Sequence, residues 1–478
     1  MVIPVTTSFA EHLSNLLGAD SVLPEGGLDE YSIDGLIPRT VVRPDSRRGI
    51  VEAMRWASGE GVTVFPRGGG TQLGVGNIPK RVDLVLDLSR CGRVLDFQPS
   101  DLTVTVEAGI TLDSLQQALA QGGKFLPVEA PLAERATIGG ILASQSTGPL
   151  RVDYGLPRDW LIGIHVVSPQ GVETKAGGKV VKNVTGYDLD KLYTGSLGTL
   201  GVIVEATFKL SPLPENSGAL VATFPSMRQA IDAAGQLQQQ VYAPQGLQII
   251  DNRVAARLDA VQQLASGTIP INVPELEGEQ TLSLSFYSGR TLAVRRKLRE
   301  ATRLLREQGA SVVDELGNAA AARLLRGLTD LTYREGAVPY MGLEVTVPPS
   351  LLGRVVAWLR EPSASGHHGL LALAPSEVPP GIAADPGFGR LWIMWWINPG
   401  SGVAAELDDS RMVGDIGRIR QMVSGLGGSV VVETAPPEVK RRIDVWGDLP
   451  EGIEIMRRIK EKFDPRGILN PGRFVGGI

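Results

Sequence analysis

The stretch from Val62 to Leu88 restricts what this chain can fold into more than any other. Two apolar runs, Val62-Thr63-Val64-Phe65 and Val82-Asp83-Leu84-Val85-Leu86-Asp87-Leu88, flank the loop Pro66-Arg67-Gly68-Gly69-Gly70-Thr71-Gln72-Leu73-Gly74-Val75-Gly76. Short apolar runs bounded by Gly and Pro predict buried strands. Glycine tolerates positive φ and lets another group approach the backbone closely. Successive backbone N–H groups in such a loop make a concave anion nest, and Arg67 adds a permanent charge beside it. The loop reads as a cradle for a diphosphate.

Two well-known phosphate loops do not fit it. The spacing is Gly68-x-Gly70-x-x-x-Gly74, not G-x-G-x-x-G, and Asn77, Pro79 and a strand follow where a dinucleotide fold needs a helix. No G-x-x-x-x-G-K occurs either. A glycine-rich surface turn without a ligand stays open at this point, because turns account for much of the glycine in proteins.

Composition narrows the classes. The chain has 478 residues, enough for two or three domains. With 43% hydrophobic residues, 21% charged and a net charge of -5, it is globular and has no overall pull toward nucleic acid or an acidic membrane surface. The single cysteine, Cys91, excludes an internal disulfide and a cysteine-ligated iron–sulfur cluster within this chain alone. His12, His165, His367 and His368 are the only histidines, which argues against a histidine-rich metal site. The N-terminus lacks the charged-then-apolar design of a signal peptide, and no run reaches the roughly 20 apolar residues of a membrane helix. The expected location is cytoplasmic, or peripheral at the inner face of a membrane through partners.

Small-residue stretches recur after the first loop. Ser46 caps a helix predicted over 47–59, and a strand is expected over 102–109 with an amphipathic helix over 112–121. Pro131 and then Ala136-Thr137-Ile138-Gly139-Gly140-Ile141-Leu142-Ala143-Ser144 form a second small-residue stretch, where a helix start could meet an anion or a flat ring. Gly148, Tyr154 and a strand over 160–168 follow. A third dense stretch is Lys182-Asn183-Val184-Thr185-Gly186-Tyr187-Asp188-Leu189, leading to Gly195-Ser196-Leu197-Gly198-Thr199-Leu200-Gly201-Val202-Ile203 and a strand over 204–210. Three such loops between short strands are hard to explain as turns alone.

These residues resemble the FAD-binding domain of the vanillyl-alcohol oxidase / para-cresol methylhydroxylase superfamily. Pro66–Thr71 resembles its pyrophosphate loop. Thr137-Ile138-Gly139-Gly140 and Gly195–Gly201 resemble its further flavin segments. Phe463-Asp464-Pro465-Arg466-Gly467-Ile468-Leu469-Asn470-Pro471-Gly472-Arg473 resembles its closing signature. Within the superfamily, 182–189 looks most like the FAD-binding subunit of glycolate dehydrogenase (glycolate oxidase).

The resemblance implies an α+β fold: a two-lobed FAD-binding domain of the para-cresol methylhydroxylase type over 1–212, an α+β antiparallel-sheet cap over 213–447, and a return to the first domain over 448–478. It implies that the backbone of Arg67, Gly68, Gly69, Gly70 and Thr71, with the side chains of Thr71 and Ser144, holds the pyrophosphate. Gly139, Gly140, Gly148 and Ile203 would line the adenine and isoalloxazine path. Pro66, Gln72, Gly74, Pro131, Thr137, Ile138, Ala143, Tyr154, Gly198, Gly201, Val202 and Asn470 complete the implied site. Thr71 stands where some relatives carry a flavin-linking histidine, and no cysteine lies near Thr137, so the FAD is expected to be non-covalent.

In the cap, strands are expected over 220–224, 246–250, 282–286, 340–347, 391–398 and 429–433, and helices over 227–241, 292–308, 351–359 and 413–425. Their order suggests an antiparallel sheet with helices on one face. The Gly/Pro/Ala-rich stretches 362–369 and 375–389 read as loops. The cationic face of 292–308 reads as solvated.

The implied chemistry is oxidation of a small 2-hydroxy acid, glycolate or D-lactate. A hydride must reach the flavin, a base must take the hydroxyl proton, and a cation must hold the carboxylate. Arg334, Arg411 and Arg441 are candidates for the carboxylate, each with a surface ion pair as the plainer reading. Tyr333, Tyr340, Glu344, Trp396, Asn398 and Glu433 lie on or near predicted cap strands. Trp392, Trp395 and Trp396 read first as strand and core residues, and Tyr187 and Lys182 lie beside the third loop. No His-x-Gly-Asp-Gly-Asn stretch, which metal-using members carry, is present, so no metal site is assigned. The glycolate dehydrogenase family pairs such a chain with a second flavoprotein subunit and an iron–sulfur subunit. Two alternatives stay open: a non-catalytic FAD-bearing electron-relay subunit, and a self-sufficient sugar or alditol oxidase.

Overall fold

The computed structural model describes residues 9–179, 187–258, 276, 278–333, 339–360, 380–396 and 409–478. The chain divides into two compact units. One comprises Met1–Ser146, Leu156–Leu213 and Leu449–Ile478, the other Thr147–Gly155 and Pro214–Asp448. Residues 147–155, which the sequence reading assigned to the first domain, group with the second unit.

In the first unit, Ser46 caps the helix Arg47–Glu60 by accepting from the Gly49 amide, an arrangement typically worth about 1 kcal/mol. Gly61 ends that helix at φ +66°. The strands Thr40–Val42, Leu84–Asp87 and Val64–Arg67 form a parallel sheet in that order. The glycine loop therefore joins two adjacent parallel strands directly, with no helix between them. Val42, Met54, Val64, Leu84, Leu86 and Leu469 share one buried cluster beneath it. A second sheet runs Val94–Gln98, Thr103–Glu107, Val202–Lys209, Leu161–Val167, Glu173–Gly177, all antiparallel. Its two edge strands were not predicted. Both are largely solvent-facing and lack an apolar alternation to read.

The second unit is an eight-stranded antiparallel sheet. Its order is Val312–Leu316, Asn216–Phe224, Thr281–Gly289, Gly246–Asp251, Gly381–Asp385, Arg390–Trp395, Met341–Thr346, Ser429–Thr434. One face buries Leu220, Leu247, Leu343 and Ile393 against the helices Met227–Gln238, Thr291–Glu307, Leu352–Arg360 and Asp409–Ser424. The other face is not bare, which corrects the one-sided expectation. Helix Asn318–Asp330 packs there through Ala321 and Leu324 against Val221 and Leu284. The stretch 375–389 is also corrected in part. Gly381–Asp385 is a strand, because Ile382 and Ala384 bury against the helices and the turn 386–389 returns the chain to pair with Arg390. The loop read at 362–369 lies outside the described residues. Among the described residues no helix is long and apolar enough to cross a membrane.

Candidate functional site

In the first unit the glycine loop forms one wall of a cleft. The lining residues are Ile33, Phe65–Leu73, Val75, Ala136, Thr137, Gly140, Ile141, Ala143, Ser144, Ser146, Leu197, Asn470 and Arg473. The glycines are needed first for protein contacts. A Cβ on Gly68 would lie 1.8 Å from Thr137 Oγ1, and one on Gly69 would lie 1.7 Å from the Arg135 carbonyl oxygen. Only glycine lets the loop press against the segment that opens helix Ile138–Ser144. Thr137 caps that helix, its Oγ1 accepting from the Gly140 amide at 3.3 Å.

The cradle presents donors without acceptors. The amides of Gly68, Gly69, Gly70 and Thr71 donate to no protein group among the described residues. Arg67 lies over the Tyr31 ring, with Cζ 3.9 Å from its centroid, and its buried Nε has no hydrogen-bond partner there. Tyr31 is fixed in turn by donating to Asp87 Oδ2 at 2.7 Å; burial, then this bond, raises its pKa. Unpartnered N–H groups around a half-buried cation are what a diphosphate would satisfy, so the residues present fit that part of FAD.

The C-terminal signature clamps this cradle. Asp464 accepts from the amides of Ile468 and Leu469 at 3.1 and 2.8 Å. Lys460 Nζ reaches Asp464 Oδ2 at 2.7 Å and the carbonyls of Thr199 and Leu469 at 2.8 Å each, with burial lowering the lysine pKa. Asn470, at φ +42°, donates to the Leu197 carbonyl at 2.5 Å. Arg473 donates to Asp34 Oδ2 at 2.9 Å and to the Leu73 and Val75 carbonyls, tying the glycine loop from behind.

Of the residues proposed for the cofactor, Pro66, Arg67, Gly68, Gly69, Gly70, Thr71, Gln72, Thr137, Gly140, Ala143, Ser144 and Asn470 come together in this cleft. Others do not line it. Ile138, Gly139, Val202 and Ile203 are buried in the core behind it. Gly198 instead faces Asn470 Nδ2, and Gly201 faces Val166. Gly74 and Pro131 lie away from the lining as well. Gly148 and Tyr154 belong to the second unit, where Tyr154 bonds Ser288 at 3.2 Å. Sequence reasoning missed Leu197 and Ser146 as lining residues. It also missed the side-chain work of Arg473, quoted only as the end of a signature. Tyr187 is fully exposed, and Lys182 lies outside the described residues.

The second unit holds a different constellation. Strand alternation puts Glu344, Arg390, Trp392 and Asp385 on the face away from the main helix layer. The pairs are Glu344 with Trp392 and Asp385 with Arg390. Arg390 grips Glu344 with two parallel bonds, Nε to Oε1 at 2.7 Å and Nη2 to Oε2, a bidentate pair. Glu433 falls where the register between Met341–Thr346 and Ser429–Thr434 slips. Burial and the Glu344 carboxylate push its pKa up to about 8. The same surroundings hold the Tyr333 hydroxyl well above its usual value, chiefly through burial and Glu433.

The other cap candidates separate. Tyr340 is half-buried against the helix-side core, and Trp396 packs with the opposite cluster. Arg411 and Arg441 are exposed, and Arg441 pairs with Glu438. That surface position removes Arg441 from any buried site. Arg334, Asn398, His367 and His368 lie outside the described residues. His165 sits in a strand of the first unit, its Nδ1 2.9 Å from Arg47 Nη1.

The chain matches the FAD binding domain over residues 38–177 and the C-terminal domain of FAD linked oxidases over 213–374 and 438–474. It is 28% identical over 453 residues to the glycolate oxidase subunit GlcD of Bacillus subtilis, covering 91% of this chain and 89% of the relative. It is 27% identical over 438 residues to a D-lactate dehydrogenase of Archaeoglobus fulgidus, covering 91% of each. The structure of p-cresol methylhydroxylase with substrate bound overlays with a TM-score of 0.71 at 17% identity, covering 97% of this chain and 95% of that one, which shows the fold alone. With a cradle that fits a diphosphate and both domains matched, FAD is the cofactor, and the chain belongs to the FAD-linked oxidases built on the p-cresol methylhydroxylase-type FAD-binding fold.

Proposed function

We propose that the chain oxidises a small 2-hydroxy acid, glycolate or D-lactate, and passes the electrons to a partner or quinone. The observation that carries this is near-end-to-end similarity to a glycolate oxidase subunit and a D-lactate dehydrogenase. The bound flavin supplies a hydride acceptor. The chain's own residues supply the rest. The amides of 68–71 and the Arg67 guanidinium hold the diphosphate, without a covalent link. Glu433 is the candidate acceptor for the hydroxyl proton in its ionised form, which its raised pKa makes the major form only above about pH 8. Arg390 grips Glu344 beside it with two bonds and fixes its direction.

A second reading is a relay subunit that carries FAD but turns over nothing alone. It is favoured by the missing His-x-Gly-Asp-Gly-Asn stretch, and its partners would be a second flavoprotein and an iron–sulfur subunit. Either reading is compatible with a protein at the inner face of a membrane. Anaerobic addition of glycolate or D-lactate to the purified yellow protein separates the two. Bleaching of the flavin band is expected. Persistent colour in the isolated chain, with turnover in the assembled complex, would favour the relay. A chain that takes up no FAD would end both.

A further inference from the structure

The charged face of the second unit's sheet meets two guanidinium groups in unlike situations. Arg390 is fully engaged by Glu344. Arg151, on the short helix Arg151–Tyr154, lies in the same field: Arg390, Asp385 and Glu344 all act on it electrostatically. Its Cζ stands 4.1 Å from the centroid of the Phe388 ring. Yet its guanidinium makes no ion pair or hydrogen bond with any described residue, and its Nε is buried without an acceptor. Burial, then Arg390, lowers its pKa to about 10.

The obvious internal partner, Asp385, acts on Arg151 through space without an ion pair. Asp385 Oδ1 accepts from the Gly387 amide at 3.0 Å, closing the turn to Arg390, and burial raises the Asp385 pKa. The short helix that carries Arg151 is itself anchored. Leu150 packs in the cluster of Ile250 and Phe286, and Tyr154 bonds Ser288. A partly desolvated guanidinium lacking its anion is a receptor waiting for one. Its planar fork suits a carboxylate.

We propose that Arg151 receives the carboxylate of the 2-hydroxy acid, with Phe388 setting the plane of the guanidinium; this rests on the substrate class proposed above. Arg411 and Arg441 are exposed, and Arg390 is already occupied, so neither surface charge nor the neighbouring arginine serves the role as well.

The test uses the full FAD-loaded chain and oxalate, a planar carboxylate that cannot be oxidised by hydride loss. Calorimetric titration should give oxalate binding about 10–100-fold weaker in Arg151→Met than in wild type. Arg151→Lys should recover part of the loss, since it keeps the charge but not the fork. FAD-to-protein ratios should be equal in all three. A second measurement needs no variant: in wild type, oxalate should slow phenylglyoxal modification of Arg151 but not of exposed Arg295, read by mass spectrometry.

Equal oxalate affinity in Arg151→Met, or no protection of Arg151, overturns the assignment. If wild-type flavin is still bleached by glycolate or D-lactate in that case, the substrate class stands and only the seat is wrong. If wild type neither binds oxalate nor is bleached by either acid, both fall. Arg151-dependent oxalate binding in a chain that needs partners for turnover supports the seat.

Discussion

The glycine cradle of the first unit and the charged face of the second unit's sheet are made of opposite materials. The cradle is backbone. Its donors are amides, its shape is set by glycines that a Cβ would push into Thr137 or Arg135, and its Arg67 guanidinium rests on Tyr31. The charged face is side chain. Glu344, Asp385, Arg390 and Glu433 come from four strands, and Arg151 from a helix far upstream in sequence. A backbone site can be held tightly while its residues vary little in chemistry. A side-chain site keeps its strands and changes its reaction by substitution. The difference teaches where each kind of damage should appear: cofactor content for the first, proton and anion handling for the second.

The sharpest way to break the contrast is at Gly69. Gly69→Trp should abolish FAD retention, because even a Cβ there collides with the Arg135 carbonyl. Gly140→Ala should retain FAD, since its nearest neighbour is Thr137 Oγ1 at 3.3 Å. Flavin-to-protein ratios after gel filtration decide, and full flavin in Gly69→Trp would displace the cradle.

Next in size is Asp464→Ala. It leaves the Lys460 ammonium, 12% exposed, with carbonyls alone. Removing one partner of a buried pair costs about 3–5 kcal/mol. Urea unfolding followed by flavin release should show that loss, and an unchanged midpoint would mean the clamp contributes nothing.

On the charged face, Glu433→Gln should act through pH. The raised carboxyl pKa means that the folded state keeps a proton the unfolded chain releases. Wild-type stability should therefore fall as pH rises from about 4.5 to about 8 and then level. Gln stays neutral, so the variant should lose this component and gain on wild type as pH rises. Parallel Tm-versus-pH curves would show that Glu433 holds no such proton.

The smallest effect is expected for Arg67→Lys. Charge is kept but the planar stack on Tyr31 is weakened, a change of about 0.5–2 kcal/mol. FAD affinity should drop by a few-fold to about 30-fold in fluorescence titration.

What could be read from sequence followed the same division. The run Pro66–Gln72 was legible because glycine spacing between apolar runs leaves a local trace, and the following strand rather than helix ruled out a dinucleotide loop. Helices with a clear apolar stripe, such as Thr291–Glu307, were equally plain. The cap cluster was only half legible. Glu344 and Glu433 stood out as charges on predicted strands. Asp385 and Arg390 did not, because the strand ending at Asp385 lies in a Gly/Pro/Ala-rich stretch that local composition marks as loop. Its strand state comes from pairing with Arg390–Trp395 and from burial of Ile382, neither of which leaves a periodic signal. Arg151 was passed over for a related reason: its importance comes from what lies near it in space.

The clamp at 460–473 has a consequence for synthesis. Arg473 bonds the carbonyl of Leu73, 400 residues earlier in the chain. At about 5–20 residues per second, that is a delay of about 20–80 s between emergence of the glycine loop and arrival of the residue that fastens it. The whole second unit is translated in that interval. Stable capture of the flavin is thus set to follow, not precede, the making of the cap, so a nascent chain stalled within the cap would present an unfastened loop to the ribosome's surroundings and should hold no flavin.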